Sequence, residues 1–112
     1  MEMALRDAGR VMVATPQGER LGAAQAAAFK GRIVDLVGQG HTKLVLDLSR
    51  VDFMDSSGLG ALLSSVKTVS ASGGRLVVCV VGGNLVNIFK LTKIEKIMPI
   101  FPSSDSAEAA LA

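Results

Sequence analysis

A chain of 112 residues, 49% hydrophobic and 20% charged, is long enough for one domain with a real core and too short for two. The net charge of +2 comes from lysines and arginines scattered singly, and Trp and Tyr are absent, so neither a basic stripe nor a platform for stacked bases supports direct nucleic-acid binding. The longest apolar run, Leu76 to Val81, falls far below the roughly 20 residues that span a bilayer, and Glu2, Arg6 and Asp7 stand where a secretory leader would be apolar; no membrane insertion and a cytoplasmic location are expected.

In chain order, Met3 to Arg6 and Val11 to Ala14 flank Asp7-Ala8-Gly9-Arg10 and predict a hairpin with Gly9 at a positive φ. Thr15-Pro16-Gln17-Gly18 then breaks the second strand. Ala26, Phe29, Ile33, Leu36 and Val37 form the stripe of a first helix, stopped by Gly38 and Gly40. Lys43 to Leu48 reads as a strand, and its near-continuous apolar side chains suit a parallel sheet covered on both faces. Leu59, Leu62, Leu63, Val66 and Val69 recur at helical spacing, and Ser72-Gly73-Gly74 ends that second helix. Arg75 to Val81 is another apolar strand, and Gly82-Gly83-Asn84 turns the chain. Leu85, Ile88 and Phe89 mark a short third helix, Lys96 to Ile100 a last strand with Pro99 pointing to an edge, and Ser103 to Leu111 a closing helix. The order ββαβαβαβα predicts an α/β domain: a mixed sheet of about five strands with helices mainly on one face. An open second face would leave either Met12 and Ala14 or Val11 and Val13 half-exposed.

Enzyme chemistry finds no support. His41 lies between a helix stop and a strand, has no triad partners, and as the only histidine cannot build a metal site. Cys79 is alone in an apolar strand, where core packing is the expected role. Gly82-Gly83-Asn84 lacks the Gly-Lys-Ser/Thr ending of a phosphate loop. Asp47 and Asp52 flank a strand end, and turn hydrogen bonds from Asp52 with Asp47 at the sheet edge explain them better than acid/base work. Neither catalytic residue nor cofactor nor metal is expected.

One turn remains. Asp55, Ser56 and Ser57 stand at the mouth of the second helix and are the residue types that satisfy the free N–H groups of a first turn, groups that also receive an added anion. Capping explains one serine. Gly58 and Gly60 cost helix stability, roughly 1 kcal/mol each relative to Ala, and are expected to keep the surface flat for an approaching protein. The turn suggests Ser56 as the cap, with the Ser57 hydroxyl pointing outward beside Gly58.

Phe53-Met54-Asp55-Ser56-Ser57-Gly58-Leu59-Gly60, with Gly73-Gly74-Arg75-Leu76-Val77-Val78-Cys79 and Ile88-Phe89-Lys90-Leu91-Thr92, resembles the STAS-domain anti-sigma factor antagonists of bacterial partner-switching systems. The resemblance spans nearly the whole chain and implies a single STAS domain. It implies that Ser57, with Ser56 in reserve, is phosphorylated by an anti-sigma factor that is itself a serine/threonine kinase of the histidine-kinase-like ATPase type. The mark is then removed by a PP2C-type phosphatase. It further implies that the unphosphorylated form binds the anti-sigma factor and releases the sigma factor, through Asp55, Ser56, Gly58, Leu59 and Gly60 together with Gly18, Glu19 and Arg20. Gly18-Glu19-Arg20-Leu21 departs from the Gly-Glu-Leu-Asp common among relatives: Arg20 replaces an apolar residue and the acidic one is missing. The alternative functions are a constitutive STAS scaffold or the small STAS subunit of a lipid ABC transport system. A small-molecule sensor needs a pocket that the sequence does not show.

Overall fold

Leu44 to Leu46 and Leu76 to Val80 are buried without a break, a pattern that demands strands covered from both sides. The computed structural model describes residues 1–81 and 83–111. In chain order its elements are β1 (Met3–Asp7), β2 (Met12–Pro16), β3 (Arg20–Leu21), α1 (Ala23–Gly38), β4 (Lys43–Asp47), β5 (Phe53–Met54), α2 (Ser56–Ala71), β6 (Arg75–Cys79), α3 (Asn84–Thr92), a 3-10 turn (Ile94–Lys96), β7 (Ile100–Phe101) and α4 (Ser104–Leu111). Five strands form the main sheet in the order β1-β2-β4-β6-β7, and β3 pairs with β5 in a separate two-stranded sheet. β1 and β2 are antiparallel; all other pairs are parallel.

Strand alternation sorts the core into two layers. Met12, Leu44 and Leu76 lie in register, as do Ala14, Leu46 and Val78, and all face the larger cluster with Phe29, Ile33 and Leu36 of α1, Leu62 and Val69 of α2, and Leu85 and Phe89 of α3. Val13, Val45 and Val77 face the other way, beneath Ala107 and Leu111 of α4. The expected open face is therefore closed: Met12, Ala14, Val11 and Val13 are all buried. An eight-residue helix suffices because it lies over the sheet centre, held to β1 by a 2.7 Å ion pair between Arg6 and Glu108. α1 and α2 lie side by side on the opposite face, and the Lys30 ammonium joins them by donating to the Ser64 carbonyl at 2.8 Å and to the Thr68 hydroxyl.

Several boundaries differ from expectation. The predicted strand Lys96 to Ile100 is mostly irregular, because Lys93 adopts a left-handed φ of 55° that ends α3, the buried Ile94 anchors a further turn that takes in Lys96, and the chain then bends through Ile97 to Pro99. Only Ile100 and Phe101 pair, at the sheet edge where Pro99 pointed. The first strands run to Asp7 and Pro16, past the predicted ends, around a turn in which Gly9 takes φ +83°. In the turn predicted at Gly82-Gly83-Asn84, Gly82 lies outside the described residues; Gly83 caps α3 with φ +75°. His41 closes α1 by donating its backbone N–H to Leu36 at 3.0 Å. Cys79 packs in the α4-facing layer, and burial above all pushes its thiol up to about 11, with Asp47 adding to the shift.

Leu111→Ala tests whether α4 is a working part of the core. It should cost about 2 kcal/mol, the low end of the Leu→Ala range because a terminal helix can settle. Urea unfolding measures the loss, and an unchanged midpoint would mean that α4 adds little to the covered face.

Candidate functional site

Two short strands position the Asp-Ser-Ser-Gly turn. β3 runs straight into α1 and β5 straight into α2, and because the strands are parallel, with Arg20 opposite Phe53 and Leu21 opposite Met54, the two helices start beside each other. The link is reinforced where the backbone N–H groups of Asp52 and Phe53 both donate to the Glu19 carbonyl, at 2.7 and 3.1 Å. Glu19 and Arg20 are thereby brought beside the segment that leads into the turn. Gly18 sits a step back, half-buried, where an added Cβ would meet Met1 Cε at 3.8 Å.

Asp55 is the centre of this arrangement. Its Oδ1 accepts from the Gly58 N–H at 2.9 Å and caps α2, while its Oδ2 accepts from the Ala23 N–H at 3.1 Å, in the first turn of α1. One carboxylate thus serves two helix starts. The Gly58 N–H is the main reason the carboxyl is held below its ordinary value; desolvation opposes it, and the backbones of Ala23 and Ser57 and the charge of Arg20 add to the lowering. α1 supplies the rest of its own cap, since Gly22 N–H donates to Gln25 Oε1 at 3.0 Å.

The cap expected from Ser56 belongs to Asp55, whose extended backbone (φ −95°, ψ −175°) makes it the last residue before the helix and aims its carboxylate at the N–H three residues on. Ser56 and Ser57 are instead the first two residues of α2, and both are exposed. Gly58 also has a different role. It is buried, and a Cβ there would overlap the Leu21 carbonyl oxygen and press on Met54 Cγ, so its missing side chain lets α2 begin against β3 and has nothing to do with a flat surface. Gly22 is constrained less severely, its hypothetical Cβ lying 2.8 Å from Asp55 Oδ2. Gly60 matches expectation: it is exposed, and nothing lies within 4 Å of an added Cβ. Leu59 is half-buried against the core, leaving only part of its side chain for a partner.

Around the turn, the Arg20 guanidinium lies over the Phe53 ring, 4.7 Å from its centroid, and Phe53 is 40% exposed. Sequence reasoning passed over Phe53, Gly22 and Ala23; the Gln three residues after Gly22 was the one available sign of a helix start there. The two aspartates do not take the expected roles. Asp47 makes the turn hydrogen bond, accepting from Ser49 N–H at 3.0 Å on a central strand, and Asp52 accepts from Asn84 Nδ2 at 3.4 Å. Among the described residues no cluster of His, Cys, Asp or Glu could hold a metal ion, and no helix is long and apolar enough to cross a membrane. An apolar cleft of about 360 Å³ does exist, between α3 and β7 and lined by Val80, Val86, Phe89, Ile100 and Phe101, but no residue of the turn contributes to it.

The STAS domain model matches residues 2–107, almost the whole chain and the turn with it. The chain belongs to the STAS domain family. A Bordetella bronchiseptica protein provisionally named anti-sigma factor antagonist BtrV is 30% identical over 110 residues, 98% of this chain and 94% of that one. The anti-sigma-B factor antagonist of Bacillus subtilis is 31% identical over 80 residues, covering 71% of this STAS chain and 72% of the relative. Among solved structures, an anti-sigma factor antagonist from Mycobacterium paratuberculosis superimposes with a TM-score of 0.86 at 27% identity, over 98% of this chain and 92% of that one.

The double cap carries a stability signature. Because the Asp55 carboxyl is lowered on folding, its contribution is complete above the ordinary value of 3.8 and disappears as the pH falls through the lower folded value. The stability gap between wild type and Asp55→Ala should be constant near neutrality and shrink below about pH 4, while amide exchange at Ala23 and Gly58 should quicken together in the variant. Ser56→Ala should stay within about 0.5 kcal/mol of wild type. Chemical denaturation across pH measures both, and a Ser56→Ala loss as large as that of Asp55→Ala would return the cap to Ser56.

Proposed function

We propose that this STAS domain is an anti-sigma factor antagonist whose grip on one protein partner is controlled by phosphorylation of the Asp55-Ser56-Ser57 turn. One observation carries the reading: Asp55 alone caps α2, so two exposed hydroxyls stand in the first turn of a helix with no capping duty. The fold can therefore afford to modify either one. A phosphate adds about −1.5 to −2 charges and three acceptor oxygens, and at a helix N-terminus the dipole and free N–H groups tolerate it. The domain stays folded while the surface it shows a partner gains negative charge.

The partner consistent with this is an anti-sigma factor that is also the serine kinase, with nucleotide held by the partner, and a PP2C-type phosphatase resets the switch. Relatives named as antagonists support the assignment. Ser57, directly before Gly58, is the proposed acceptor and Ser56 the reserve. The contact surface comprises the turn with Gly60, Glu19 and Arg20, and the exposed part of Leu59.

Incubation with ATP and each histidine-kinase-like ATPase of the source organism, followed by intact mass and tandem mass spectrometry, tests the switch. One phosphate on the peptide containing Asp55 to Gly58 is expected, lost in Ser57→Ala and kept in Ser56→Ala. The opposite pattern moves the acceptor to Ser56, and no phosphate with any kinase favours a constitutive scaffold. Ser57→Asp should bind the kinase at least tenfold more weakly than Ser57→Ala, about 1.4 kcal/mol, by calorimetry.

Gly60→Arg tests the surface separately. The site is open, so melting should change little, but binding and phosphorylation should both be lost. Normal binding by this variant would remove that face from the interface.

A further inference from the structure

The β3–β5 ladder places Arg20 opposite Phe53, two residues before Asp55, and the burial of Leu21 and Met54 turns Arg20 and Phe53 outward together. Stacking at 4.7 Å holds a planar guanidinium against an aromatic face, which limits the freedom it would lose on binding an anion. Among the described residues Arg20 makes no ion pair: the single salt bridge there joins Arg6 to Glu108. An exposed arginine on an exposed phenylalanine, paired with no carboxylate among the described residues, has the composition of an interface anchor. Its charge reaches the turn, being among the influences that lower the Asp55 carboxyl.

We infer that Arg20 is the counter-charge of the switch: in the unphosphorylated protein it pairs with a carboxylate of the binding partner, and after phosphorylation the phosphate of the turn captures it. This rests on the phosphorylation proposed above. It supplies what local repulsion lacks, an intramolecular competitor for the group that the partner uses. A phosphate offers a guanidinium paired hydrogen bonds at very high effective concentration, whereas the partner must bring its carboxylate from solution.

The charged residues of the segments that meet here are Asp55 on the turn, Arg50 and Asp52 in the loop before β5, Glu19 before β3, Arg20, Glu2, which lines a cleft with Glu19 and Arg20, and Lys90 on α3, the helix packed against β5. The first turn of α1, Ala23-Ala24-Gln25, carries none. Arg50 is the control cation.

Phosphoserine installed genetically at position 57, and separately at 56, in the full chain allows its second ionisation to be followed by phosphorus NMR. That ionisation ordinarily falls near pH 6. With Arg20 present it should fall at least about half a unit below its position in Arg20→Leu at one or both sites. Arg20→Lys should lie between, Arg50→Leu should match wild type, and about 1 M salt should erase the difference. In the second arm, unphosphorylated Arg20→Leu should bind the kinase identified by the phosphate-transfer assay at least tenfold more weakly, with its melting temperature unchanged. Coincident titrations at both positions, or unchanged kinase affinity, overturn the inference. The phosphate is installed without a kinase, so the titration reads Arg20 alone, and titrations that Arg20→Leu does not move overturn this inference even where the phosphate-transfer assay bears out the functional proposal.

Discussion

The architecture of the functional end depends on one shared carboxylate. Asp55 accepts from Gly58 with one oxygen and from Ala23 with the other, so the starts of α1 and α2 are fixed to each other by a single side chain. Two glycines make this possible: Gly22 leaves room for Oδ2, and Gly58 lets α2 close on the Leu21 carbonyl. A carboxylate held by backbone N–H groups keeps its charge well into acid and stays put. The adjacent serines are released from structural work, and a surface that changes charge can sit on a frame that does not move.

The arrangement separates the stabilising core from the proposed switch. The core belongs to two layers, one beneath α1 to α3 and one beneath α4, while the serines, Gly60, Arg20 and Phe53 are exposed beyond the sheet. Natural proteins lose stability to most substitutions in the core and little to those on open surface. The exposed positions of this turn can therefore vary in charge and shape without touching the layers that hold the fold, which suits a family in which one architecture meets different partners.

Much of this was legible in the sequence, and the misses have physical causes. Continuous apolar runs at Leu44 to Leu46 and Leu76 to Val80 announced buried parallel strands, and the stripes through Phe29, Ile33 and Leu36 and through Leu62 and Val69 announced helices, because each repeats a period over enough residues. β3 and β5 are two residues each and have no period to detect. α4 carries only Ala107 and Leu111 as buried contacts, too few to show that it would roof a whole sheet face. At the turn, the Asp-Ser-Ser-Gly motif pointed to the family correctly, but which member caps depends on which residue keeps an extended backbone just before the helix, and the second use of Asp55 joins positions 32 apart. No local pattern encodes that.

The position of β7 has a further consequence for how the molecule behaves at high concentration. It is an edge strand of two residues, Ile100 and Phe101, bracketed by Pro99 and Pro102, which have no N–H to offer an incoming chain. At the other edge, β1 ends in Arg6 and Asp7, with Arg6 already committed to Glu108. Short, proline-flanked and charged edges are poor templates for strand addition. A chain whose strands carry so much of its apolar core is in this way protected against adding a second copy of itself along the ladder.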